Sequence, residues 1–238
     1  MTVENNKNEI SVTLDQKIKG KGCPTSSYNL EEREVRYPRK KTEKETMSDP
    51  KWLDKKSFRF TIMAIFTALI IVLGFLLIYI PNIQLVFIML FLSGFIMGKK
   101  DGAVIGLMSS FLFCFFNPMG ASPLPLLVFQ IVYYASIALI GGFMKDFIKD
   151  KPYFQPQKDL YKLKVILLFG STGGLLTFIF DISTTMIHAL FFFGTLEAFW
   201  PTYLIGISFT TVHLIANILL FIFVLPVLIQ TIYKMLDL

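Results

Sequence analysis

Charge is scarce in this sequence once its first quarter is passed. Of the 23 Lys and Arg and the 17 Asp and Glu in the 238-residue chain, residues 1–59 hold 14 and 10. Everything from Phe60 to Leu238 carries nine basic and seven acidic residues. A soluble domain usually has about a quarter of its residues charged, against 17% here. Hydrophobic side chains make up 54%, including 25 Phe. So much apolar surface does not fit inside one small globule. The bilayer is its expected solvent, and a soluble enzyme is excluded.

Other scarcities exclude further classes. Two cysteines are too few for a disulfide framework; Cys23 falls in the polar tail and Cys114 in an apolar run, as a small hydrophobe. The first 50 residues hold no apolar run, so no signal peptide is expected. No phosphate-binding Gly-x-x-x-x-Gly-Lys-Ser/Thr occurs, since Gly94 to Gly98 is one residue short. His-Glu-x-x-His and Gly-x-Ser-x-Gly are both missing, which weighs against a protease, a lipase or any enzyme. Asp181, His188 and His213 carry no metal-ligand spacing, and neither metal nor cofactor is expected. The basic tail mixes both signs without interleaved aromatics, so nucleic acid is not an expected partner.

What is present is a polar tail over residues 1–50 and a membrane domain over 51–238. The tail is rich in Lys, Glu, Asn, Ser and Thr and buries too little apolar area to offset ordering entropy, so disorder is expected. Around Trp52 an interfacial lead-in follows. Six apolar segments come next, at about 60–80, 84–98, 102–116, 124–144, 164–193 and 202–233. The second and third fall short of the roughly 20 residues of a perpendicular span, while the fifth and sixth exceed it. Kinks are expected at Pro226 and within Gly170–Gly174.

Lys99, Lys100, Lys145, Lys149, Lys151, Lys158, Lys162 and Lys164 all fall in two of the five links. The links at Pro81–Ile83, Asn117–Pro123 and Gly194–Pro201 hold no Lys or Arg. This alternation predicts an all-α bundle of six transmembrane helices with both termini in the cytoplasm.

Small residues four apart let helix backbones approach closely in lipid: Ala64/Ala68, Gly94/Gly98, Gly102/Gly106 and Gly170/Gly174. Ordinary packing within the chain is the simplest role for each pair. Polar residues inside apolar helices are the second signal, because they are costly there. Asp181, Thr184, Thr185 and His188 share one face of the fifth helix, and Thr210, His213 and Asn217 one face of the sixth. The fourth helix adds Gln130, Tyr133 and Tyr134. Asp181 and His213 each lie roughly 20 Å from the outer ends of their helices at 1.5 Å per residue, so they are placed to meet near mid-membrane. That contact serves either interhelical packing or a ligand. The outer links supply Asn82, Gln84, Asn117, Ser122, Glu197 and Trp200, as joints between helices, as an interfacial anchor, or as the cover of a cavity.

Taken together, six helices, Ala64-x-x-x-Ala68 in the first, the glycine-rich hairpin of the second and third, and His213-Leu-Ile-Ala-Asn217 before Leu225-Pro226 resemble one family. They are similar to the substrate-binding S components of energy-coupling factor (ECF) vitamin transporters, over residues 58–236. The resemblance implies capture of a vitamin-like small molecule from outside. It implies uptake through a transmembrane coupling subunit and two cytoplasmic ATPases, with Ala64 and Ala68 meeting the coupling subunit. Cobalt and nickel members carry a His at the second position, where this chain has Thr2, which disfavours metal transport. The outer half lacks Lys and Arg, so a neutral or cationic ligand stacked on Tyr133, Tyr134 or Trp200 is expected. The alternatives are a structural scaffold of similar fold and a self-sufficient small-solute carrier.

Overall fold

The computed structural model describes residues 55–80, 85–157 and 159–235, all within the unit Glu45–Leu238. The expected disordered tail, Trp52, Asn82, Gln84 and Lys158 lie outside the described residues. Among the described residues the regular structure is entirely helical. In chain order the helices are α1 (Lys56–Leu76), α2 (Val86–Met97), α3 (Lys99–Phe115), α4 (Leu124–Ile148), α5 (Leu163–His188), α6 (Phe199–Leu219) and α7 (Leu225–Met235). A π-helical turn, Ala189–Phe193, extends α5, and another, Leu220–Val224, joins α6 to α7. Four helical runs are long and apolar enough to cross a membrane: Lys56–Leu76, Leu124–Ile148, Leu163–Phe193 and Leu196–Met235.

The core is built around α2. Its 12 residues span about 18 Å at 1.5 Å per residue, and every one of them is buried. A helix that is apolar all round has no outward face to offer and belongs inside a bundle. Ser93, its one hydroxyl, donates to the Leu90 carbonyl 2.7 Å away and so needs no outside partner. Because neighbouring helices surround α2, its shortness is not a mismatch with lipid.

A single residue separates α2 from α3. Gly98 holds φ at 87°, a left-handed value that side-chain-bearing residues avoid. The chain reverses there, and the two arms close on Gly94 and Gly102. A methyl on Gly102 would overlap the Gly94 Cα, and one on Gly94 would overlap the Ala138 carbonyl of α4. Three backbones therefore touch at one level, as small residues permit in lipid.

Glycine acts differently in α5. The α-helix runs without a break through Gly170–Gly174. Gly173 makes room for the Phe221 ring and Gly170 for Ile222, so the π-helical turn before Pro226 seats its side chains against α5. Regular α geometry is lost in that turn and in Ala189–Phe193.

Ion pairs gather at one end of the bundle. The Arg59 guanidinium of α1 donates to both carboxylate oxygens of Asp101 on α3. Lys99 of α3 lies 2.7 Å from Asp146 of α4, which Lys149 also approaches at 3.4 Å. Lys99, Asp146 and Lys149 are largely exposed, which makes their pairs modest contributors, whereas Asp101 is buried beneath Arg59 and ties α3 to α1.

Candidate functional site

Asp181 and His213 meet. Asp181 sits near the middle of the run Leu163–Phe193 and His213 near the middle of Leu196–Met235. The His213 Nδ1 lies 2.9 Å from Asp181 Oδ1. The bond joins the two side chains directly, with the donor set by the histidine tautomer. One turn further along α6, Asn217 donates its side-chain N–H to the His213 carbonyl at 3.1 Å. The three residues are 9%, 5% and 0% exposed, which puts them beyond the reach of bulk water.

Among the described residues, each of the three keeps one polar atom without a partner: Asp181 Oδ2, His213 Nε2 and Asn217 Oδ1. An unmet buried polar atom costs about 1–3 kcal/mol. Most folded chains avoid such a concentration of unmet buried polar atoms.

Aromatic rings close around the cluster. Phe87 of α2 and Phe180 of α5 present edges or faces to the His213 ring at centroid distances of 5.6 and 6.2 Å. Tyr134 lies 5.7 Å from Phe87 and 5.6 Å from Phe180, and Tyr133 lies 5.4 Å from Phe180. The Tyr133 hydroxyl donates to the Leu176 carbonyl at 2.6 Å, which ties α4 to α5 just beside the site. So Tyr133, Tyr134, Asp181, His213 and Asn217 are brought together.

The remaining residues singled out from the sequence are placed elsewhere. Thr185 turns its hydroxyl back to the Asp181 carbonyl at 2.7 Å, and Thr184 does the same to Phe180 at 2.9 Å. Both are satisfied within α5. His188 stacks on Phe192 at 4.4 Å, at the π-helical extension of its own helix. Trp200 is exposed and packs against Phe199 and Tyr203. Asn117 accepts from the Met119 N–H at 2.9 Å, shaping the turn in which Gly120 takes φ of 100°. Gln130 accepts from Ser122 at 2.9 Å and fastens that loop to α4. Asn82 and Gln84 are not among the described residues.

Comparison of the chain with protein-family models, with curated proteins and with solved structures finds no match.

Phe87 and Phe180 are the site residues that sequence reading missed. One Phe among 25 carries no signal of its own. A weak hint exists for Phe180, which adjoins Asp181, but none for Phe87. Among the described residues no group of His, Cys, Asp or Glu is arranged to hold a metal ion. Ala64 and Ala68 are both exposed, on the face of α1 opposite buried Phe66 and Ile70.

Proposed function

We propose that this chain is a membrane substrate-binding subunit of the ECF S-component type, taking up a vitamin-like small molecule for ATP-driven import by partner subunits. In this reading α1, α2, α3, α4, the α5 run and the α6–α7 run each cross the bilayer, with both termini in the cytoplasm and the ion-paired end of the bundle facing inward. The observation that carries it is the buried cluster of Asp181, His213 and Asn217 with an unmet polar atom on each. Such atoms become favourable when a ligand supplies their hydrogen bonds, and aromatic walls with a few converging polar groups suit small-molecule recognition. The exposed Ala64/Ala68 pair supports a partner on α1, since small residues let a second helix approach.

The test is mass spectrometry of small molecules extracted from the detergent-purified protein, beside an Asp181→Asn/His213→Ala double variant. A near-stoichiometric compound present in the first and lost in the second supports the reading. A wild type that is empty and stays empty after incubation with a vitamin panel overturns it.

A scaffold role is the second reading, and one observation favours it: the rings of Phe87 and Phe180 already pack on His213. There the Asp181–His213 bond serves only to hold α5 to α6, and the same substitutions change stability with no affinity to lose.

A further inference from the structure

We infer that the basic end of the bundle carries a site for an anionic phospholipid, with the phosphate held by Lys99 and Lys151 and an acyl chain lying along Phe143 and Phe147 of α4. The inference needs only that the long apolar helices cross a bilayer. It is independent of what the Asp181–His213 contact does. Its starting point is the way α4 ends. The 25 residues of α4 measure roughly 38 Å at 1.5 Å per residue, against roughly 30 Å for a hydrocarbon core. A helix longer than the core it crosses tilts or carries an end into the headgroup layer. From Leu124 to Phe147 its exposed residues, Asp146 apart, are Leu124, Val128, Val132, Phe143 and Phe147, all on one side. Charge first enters that side at Asp146, in the last turn, so this is the end that meets the headgroups.

Two lysines are held over this end of the apolar side. Lys99 Nζ stands 4.6 Å from the centre of the Phe143 ring, and Lys151 Nζ stands 5.6 Å from that of Phe147. The rings are one turn apart, so both ammonium groups border a single strip of α4. Lys99 is fixed there by its backbone as well as its tip. A Cβ on Gly142 of α4 would come within 2.8 Å of the Lys99 nitrogen, and Lys99 Nζ lies 2.7 Å from Asp146. An ammonium has three donors, so the Asp146 contact leaves Lys99 able to hold a phosphate oxygen too. Lys149 shares the same carboxylate, whereas Lys100 and Lys151 have no ion pair among the described residues. Lys99, Lys100, Lys149 and Lys151 thus outnumber Asp146 and Asp150 at the edge of an apolar strip. Excess positive charge beside exposed rings suits a phosphate that carries acyl chains, which a free phosphate does not. A zwitterionic lipid brings its own cation and gains less from the lysines, so the headgroup is a net anion.

Native mass spectrometry of the full-length protein in detergent tests this, with phosphatidylglycerol and phosphatidylcholine of identical chains as titrants. Phosphatidylglycerol is expected to bind at least about fivefold more tightly, the worth of one lysine against an anionic headgroup. Lys99→Gln/Lys151→Gln should bring it down to the level of phosphatidylcholine. Lys55→Gln/Lys56→Gln, at exposed positions beside the start of α1, removes the same charge elsewhere and should leave the preference intact. Lys151→Gln alone, at an exposed residue without an ion pair among the described residues, serves where loss of the Lys99–Asp146 contact disturbs folding. It should lose part of the preference. Equal binding of the two lipids by the wild type overturns the inference, as does an unchanged preference in Lys151→Gln. An equal loss from the Lys55/Lys56 variant shows diffuse charge and overturns the site. Abolition of the preference by inorganic phosphate at the lipid's concentration identifies a free anion as the occupant and overturns the lipid assignment.

Discussion

His213 and Asp181 join α5 to α6 through a 2.9 Å contact near the middle of two long apolar runs. The contact meets only one of the two carboxylate oxygens and one of the two ring nitrogens, and the other oxygen and nitrogen are buried without partners. This half-met state makes the pair useful to test, because losing one partner and losing both have different physical consequences.

Removing one member leaves the other stranded in a nonpolar interior, a loss of about 1–3 kcal/mol for an unmet polar group and more for a charged one. Asp181→Ala and His213→Ala should each lower the thermal midpoint in detergent strongly. Asp181→Leu/His213→Phe together should cost less than either single change, since no buried polar group is then stranded. A double variant as unstable as the sum of the singles would show that the bond itself, and not its desolvation, dominates.

The close contact of α2, α3 and α4 sets a second expectation. Gly94→Leu pushes a branched side chain into the Ala138 carbonyl and should reduce the yield of folded protein severely, beyond the roughly 1–3 kcal/mol of ordinary overpacking. Gly206 in α6 is the control, because a methyl there meets nothing within 4 Å. Gly206→Ala should raise stability by about 0.4–1 kcal/mol through the entropy of the unfolded chain. Thermal unfolding followed by size-exclusion chromatography checks both.

Ala64 and Ala68 predict a split between stability and partnership. Both are exposed, so Ala64→Leu/Ala68→Leu should leave the thermal midpoint of the isolated protein nearly unchanged, within about 0.5 kcal/mol. Co-purification with a transmembrane coupling subunit should fall sharply in the same variant. Unchanged co-purification would move the contact surface off this face.

Orientation can be read by cysteine labelling in intact cells, in a background with Cys23 and Cys114 replaced. Lys100→Cys and Lys151→Cys should react with a membrane-impermeant maleimide only after the membrane is opened. Met119→Cys and Glu197→Cys should react from outside, since the links that carry them hold no Lys or Arg. The reverse pattern would invert the topology and place the ion-paired end of α1, α3 and α4 outside.

Much of the scaffold was legible before any coordinates. Apolar runs bounded by Pro81, Lys99, Asn117 and the Lys145–Lys164 stretch coincide with helices, because hydrophobic length and breaking residues act locally. Helical periodicity also placed Asp181 and His213 at similar depth on two inward faces, which is why their meeting could be anticipated.

Packing between elements was not local, and so could not be read. Nothing in Val86–Met97 marks it as the central helix, since an apolar run looks the same against lipid as against protein. Sequence spacing put Thr185 and His188 on the face of Asp181, yet Thr185 folds back to its own helix and His188 pairs with Phe192. Spacing defines which face a side chain starts from; the rotamer and the neighbours decide where its polar atoms end. The sequence by itself determined that four apolar runs are long enough to cross a membrane and that two of them carry Asp181 and His213. Only the tertiary structure decided that Phe87 and Phe180 would wall the cluster and that three polar atoms within it would be left unmet, because both depend on which helices touch.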